Sequence, residues 1–143
     1  FINISSLKFI NSGWLMGVYA LIAIGVGAAL GAWLRWGFSL ILNSIFPTLP
    51  FGTLAANLIG CYFIGMAAEY FVYNNTVTAE TRLFIITGFL GGLTTFSTFS
   101  VETVTLLLRE QYSWAFTIIS SHVFGSLLMT ILGILTIKLF FPN

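Results

Sequence analysis

The chain has 143 residues, of which 58% are hydrophobic and only 6% charged, with a formal net charge of +1. Soluble domains carry about 25% charged residues, so this composition excludes an ordinary water-soluble fold and predicts one all-α integral membrane domain over 1–143. The small charge, without a basic cluster, excludes nucleic acid as a partner, and the single cysteine, Cys61, excludes an intrachain disulfide or a thiolate metal site.

In chain order, residues 1–13 mix polar and apolar side chains and predict a short interfacial turn or frayed segment; 1–17 is an N-terminal extension without an assigned structure. Its single lysine and apolar run resemble a signal peptide. The run continues without a small-residue cleavage site, so it is expected to be retained. No charge interrupts Trp14 to Leu34, and helical character continues past Arg35, giving a first span over about 18–46. Pro47-Thr-Leu-Pro50 ends it, because closely spaced prolines favour an extended connector. The second span covers about 51–73, with Asn74-Asn-Thr-Val-Thr78 as a polar loop. The third covers about 82–108, Arg109-Glu-Gln-Tyr-Ser113 forms the last loop, and the fourth span covers about 114–140.

Short connections make neighbouring helices antiparallel, and four spans put both termini on one side. Lys8, Arg82 and Lys138 then oppose Arg109, a weak positive-inside bias compatible with insertion in both orientations. Gly27-x-x-x-Gly31, Gly88-x-x-x-Gly92 and Ser121-x-x-x-Gly125 predict close backbone approach between helices. Gly25-x-Gly27 has no preceding strand and is not a nucleotide loop.

Gly88 to Ser100 is written unlike a lipid-facing helix. It holds three glycines, and five hydroxyl side chains interleave with Phe96 and Phe99. Glycine loosens a helix and hydroxyls compete for its backbone bonds. Non-helical backbone at membrane depth persists only when buried in protein or lining a wet cavity. A break is therefore expected around Gly91-Gly-Leu-Thr94, where freed carbonyls suit a hard cation such as Na⁺. Phe96 and Phe99, three apart, share a helical face. Their positive ring edges can meet an anion, although hydrophobic packing is the commoner role.

The remaining polar residues each have two readings. Asn57 is interhelical glue or an N–H donor to an anion, with glue the commoner. Arg35 is a snorkelling anchor or a positive lure in an aqueous vestibule. Glu102 is a vestibule carboxylate, a cation attractor or an arginine's partner. Ser126 and Thr130, four apart, form a short ladder of hydroxyls. His122 is expected to be hydrogen-bonded across helices. No catalytic triad, carboxylate pair or metal-ligand cluster occurs, so the chain is not expected to be an enzyme.

Gly91-Gly-Leu-Thr-Thr-Phe-Ser-Thr-Phe-Ser-Val-Glu102 resembles the signature of the Fluc (CrcB-type) fluoride channels. Gly31-Ala-Trp-Leu-Arg-Trp36, Gly52-Thr-Leu-Ala-Ala-Asn57 and His122-Val-Phe-Gly-Ser126 follow the corresponding order, and the resemblance runs from about Gly25 to Phe140. It implies an antiparallel dual-topology homodimer of four-helix subunits with a broken third helix, in the cell membrane, with two fluoride pores at the interface. It further implies that Phe96, Phe99 and Asn57 form an aromatic box and that Ser97, Thr98, Ser126 and Thr130 supply a polar track. Arg35 would line the vestibule. The Gly91 and Thr94 carbonyls of both subunits would hold a central structural Na⁺. Two rivals remain: a small multidrug-type four-helix transporter, which needs an acid that the first span lacks, and a non-transporting membrane assembly subunit.

Overall fold

The structure is a computed structural model that describes residues 4–44 and 50–141, with the side chains of the first helix described from residue 17. Every regular element among the described residues is helical: α1 (Ile4–Leu42), α2 (Phe51–Tyr73), α3 (Ala79–Arg82), a π-helical stretch (Leu83–Leu90), α4 (Gly91–Leu93), α5 (Phe96–Leu108) and α6 (Tyr112–Phe140). α3 through α5 make one interrupted span. Four segments are long and apolar enough to cross a membrane, namely Gly17–Leu42, Phe51–Tyr73, Ala79–Leu108 and Tyr112–Phe140. This is a multi-pass membrane protein.

Three boundaries differ from the sequence reading. The expected N-terminal turn is instead helical from Ile4; no proline interrupts 4–16, and residues such as Leu7, Leu15 and Met16 favour helix. The first helix ends at Leu42, and the expected extension to Phe46, with Pro47, lies outside the described residues. Asn43 ends it by turning its side chain to the next element, where Oδ1 accepts from the Gly52 N–H at 2.8 Å. α6 starts at Tyr112, two residues early. The preceding turn needs Glu110 at φ 59°, where its N–H and that of Gln111 donate to the Leu107 and Leu106 carbonyls.

The expected glycine contacts are present between α1 and the interrupted span. A Cβ on Gly27 would lie 2.8 Å from the Phe89 nitrogen, and one on Gly88 would lie 2.8 Å from the Ile24 carbonyl oxygen. Gly31 faces the Phe89 carbonyl and Gly92 faces Ala28, both backbone to backbone. Gly65 and Gly133 make a similar contact between α2 and α6, where each meets the other helix's carbonyls at Thr130 and Tyr62. Ala56, Leu90 and Leu93 form one buried cluster, and Phe99, Leu106, Ala115 and Ile118 another. The two clusters flank the break. Elsewhere large apolar side chains such as Leu21, Trp33 and Leu108 are exposed on the outside, as lipid contact requires. Between α2, the π-helical stretch and α6 lies an apolar groove of about 610 Å³ lined by Phe63, Met66 and Phe89.

Candidate functional site

The break is narrower than predicted and lies further along the chain. Gly91 is helical, whereas Thr94 (φ −79°, ψ 152°) and Thr95 (φ −151°, ψ 116°) are extended. Helix stops there because stronger local partners are available. Thr94 Oγ1 donates to the Leu90 carbonyl at 2.9 Å, closing α4. Thr95 caps α5, its Oγ1 accepting from the Thr98 N–H at 3.2 Å; such a cap is worth about 1 kcal/mol. The hydroxyls of Ser97 and Thr98 pair with the same oxygen, at 3.2 and 3.0 Å.

The second extended residue, Thr95, is pinned from α2. Asn57 Oδ1 accepts from the Thr95 N–H at 2.7 Å, and its Nδ2 donates to the Thr95 carbonyl at 3.1 Å. The amide thus replaces the partners that an unbroken helix would have supplied. A third contact joins Nδ2 to His122 Nδ1 on α6 at 3.0 Å. Asn57 and His122 are both buried. Leaving such a group unpaired inside costs about 1–3 kcal/mol, so the set holds three helices in one arrangement. The two readings of Asn57 made glue and N–H donation alternatives; here Nδ2 donates to the Thr95 carbonyl and also lies 3.0 Å from His122 Nδ1.

Phe96 and Phe99 leave the break together, with ring centroids 5.4 Å apart and planes at 58°. Their exposures differ: Phe99 is 8% exposed and Phe96 79%. Phe99 also lies against the His122 ring, 4.7 Å between centroids. Asn57, Phe96, Phe99 and Ser126 line one open cleft of about 380 Å³, together with Cys61 and Thr94. Among the described residues the Ser126 hydroxyl has no hydrogen-bond partner, whereas Thr130 donates to the Ser126 carbonyl at 2.9 Å and does not line the cleft. Ser97 and Thr98 attach to the site through Thr95 rather than directly.

Arg35 and Glu102 are each held by a different element. Arg35 Nε donates to the Gly92 carbonyl at 3.1 Å, one of the acceptors that the break deprives of a helical partner. Glu102 accepts from the Thr53 hydroxyl at 2.6 Å, and its other oxygen is buried without a partner among the described residues. Among the described residues Glu102 pairs with no arginine; the ion pair there is Lys138–Glu69 at 3.8 Å, near the far ends of α6 and α2. Thr53, the capping role of Thr95 and the weight of His122 escaped the sequence reading. Thr53 had one signal, its position four residues before Asn57 and hence on the same face of α2.

The model of the CrcB-like family (CrcB-like protein, Camphor Resistance) matches residues 22–134. The chain is 72% identical over 123 residues to a fluoride-specific ion channel FluC of Nitrosospira multiformis, covering 86% of this chain and 96% of that one. The chain belongs to the CrcB-like family. It is also 54% identical over 124 residues to the protein of that name from Cupriavidus taiwanensis, covering 87% of this chain and 98% of the relative. With that of Pseudomonas putida it shares 55% over 117 residues, 82% of this chain and 92% of the relative. The break, its Asn57 clamp and the Phe96–Phe99 pair all fall inside the matched residues.

Proposed function

We propose that the protein is a fluoride-selective channel giving passive fluoride export across the bacterial plasma membrane, and that it acts as an antiparallel homodimer with two pores at the interface. The observation that carries this is the cleft at the break: an aromatic pair held beside an uncommitted hydroxyl, in a helix that two threonines and an asparagine keep open. The names of the relatives, fluoride-specific ion channel, support the choice of ion.

Fluoride is small and strongly hydrated, so a path for it must replace water with donors. Ser126 offers a free hydroxyl, and the Thr95, Ser97 and Thr98 hydroxyls share hydrogens that can turn toward an anion. Where hydroxyls run out, the positive edges of Phe96 and Phe99 continue the path. Asn57 acts by holding the break, since its amide hydrogens are engaged. Arg35 and Glu102 do not line this cleft and are assigned to the vestibule of the path that the two copies would enclose. A larger halide gains less from these donors and meets a narrower passage.

The openness of the site supports a dimer. Phe96, Ser97 and Gly91 are exposed on the subunit surface, and polar groups at membrane depth need a protein cover. Two copies facing each other would enclose both clefts. The donor set also fits a central Na⁺. The helical partner of the Gly91 carbonyl, the Thr95 N–H, is taken by Asn57, and that of Thr94, the Thr98 N–H, by the Thr95 hydroxyl. When bound there, Na⁺ supplies a fixed positive charge and a tie between the two copies.

The test is fluoride efflux from liposomes carrying Phe96→Ile or Phe99→Ile. Each variant is expected to lose at least about tenfold in rate while eluting as the native dimer. Native rates in both variants would remove the aromatic pair from the path.

A further inference from the structure

His122 is the only histidine of the chain, and the path described above gives it no task. Two backbone groups fix the orientation of the amide it faces. The Thr95 N–H can only donate, so the Asn57 atom 2.7 Å away is Oδ1; the Thr95 carbonyl can only accept, so the atom 3.1 Å away is Nδ2. Nδ2 carries two hydrogens. One goes to Thr95, and the other meets His122 Nδ1 at 3.0 Å. Nδ1 must therefore accept, which puts the single proton of the neutral ring on Nε2. With the proton on Nδ1 instead, two donors would face each other. Turning the Asn57 amide to relieve that contact would oppose oxygen to the Thr95 carbonyl and N–H to the Thr95 N–H, losing both bonds at the break. The same imidazole packs against Phe99, 4.7 Å between centroids. It is thus in contact with the clamp and with the aromatic pair at once.

We infer that His122 is a positioning residue for permeation: by accepting from Asn57 it reinforces the amide orientation that the two Thr95 backbone groups set, while its ring seats Phe99. This rests on the channel reading for its consequence in flux, but the hydrogen-bond direction stands apart from it.

Two measurements separate these. In bilayers of protein labelled with ¹⁵N-histidine, one ring gives one pair of resonances. The expected result is protonated Nε2 with Nδ1 as a bare acceptor; the Nδ1–H tautomer overturns the inference. In fluoride efflux, His122→Asn places a side-chain oxygen close to the Nδ1 position and is expected to keep flux within about threefold of native. His122→Leu has no acceptor and is expected to lose at least about tenfold. Native flux in His122→Leu, or equal loss in both variants, overturns the inference. If His122→Leu does not fold, the tautomer and His122→Asn decide. Native vesicles that hold their fluoride refute the channel reading instead, and the tautomer then decides the hydrogen-bond claim alone.

Discussion

Upstream of Thr94 the interrupted span meets α1 backbone to backbone, through Gly27, Gly31, Gly88 and Gly92. Downstream of Thr95 it is held by side-chain hydrogen bonds and ring contacts that α2 and α6 direct at it. The first contact works by shape and tolerates no added atom. The second works by direction, with each donor matched to an acceptor, and it leaves the ends of those side chains near an open cleft. A frame built from glycine and a site built from hydroxyl, amide and ring share one helix, and the break is where one hands over to the other. Arg35, reaching from α1 to the Gly92 carbonyl, adds a hydrogen bond to the first contact.

Substitutions that add one methyl group probe the first half most severely. In Gly92→Ala the new Cβ would lie 2.5 Å from the Ala28 carbonyl oxygen, so α1 has to move. Thermal unfolding in detergent is expected to register a loss of about 3 kcal/mol. Gly91→Ala, one residue away, meets only the Ile86 carbonyl at 3.5 Å. It is expected to leave the subunit's melting unchanged while weakening subunit pairing, read by crosslinking in vesicles. Equal melting losses at both positions would erase the distinction between the covered and open faces of α4.

Removing the clamp comes next in size. Asn57→Leu leaves the Thr95 N–H and carbonyl bare and is expected to cost about 2–3 kcal/mol, together with fluoride flux. Native stability in that variant would mean the break holds itself. Thr95→Val loses the α5 cap together with the Ser97 and Thr98 hydroxyl contacts at the same oxygen, and about 1 kcal/mol is expected. Glu110→Gly, in the α5–α6 turn far from both halves, is expected to gain about 1 kcal/mol by relieving its positive φ of 59°, with flux unchanged.

The sequence carried the spans well because blocks of apolar residues and their polar loops are local signals; α2 runs from Phe51 to Tyr73, as expected. The existence of a break was legible in the hydroxyls that follow Gly91 and Gly92, but its position was not. Glycine suggested unwinding at Gly91, yet glycine is merely permissive, and the helix ends where Asn57 takes the Thr95 N–H, a partner supplied by another helix. The π-helical stretch was invisible for a related reason. Leu83-Phe-Ile-Ile-Thr-Gly-Phe-Leu90 is apolar almost all round, so no stripe reports how many residues make a turn. His122 was legible as a cross-helix hydrogen-bonder, while its joint contact with Asn57 and Phe99 exists only once α2, α5 and α6 are assembled.

The central claim is that the cleft at the break passes fluoride and excludes larger halides. Liposomes carrying the purified native chain, loaded with equal fluoride and chloride and followed with ion-selective electrodes, test it directly. Rapid loss of fluoride with chloride retained is the predicted result. Chloride leaving as readily as fluoride, or fluoride leaving no faster than from protein-free liposomes, would contradict it.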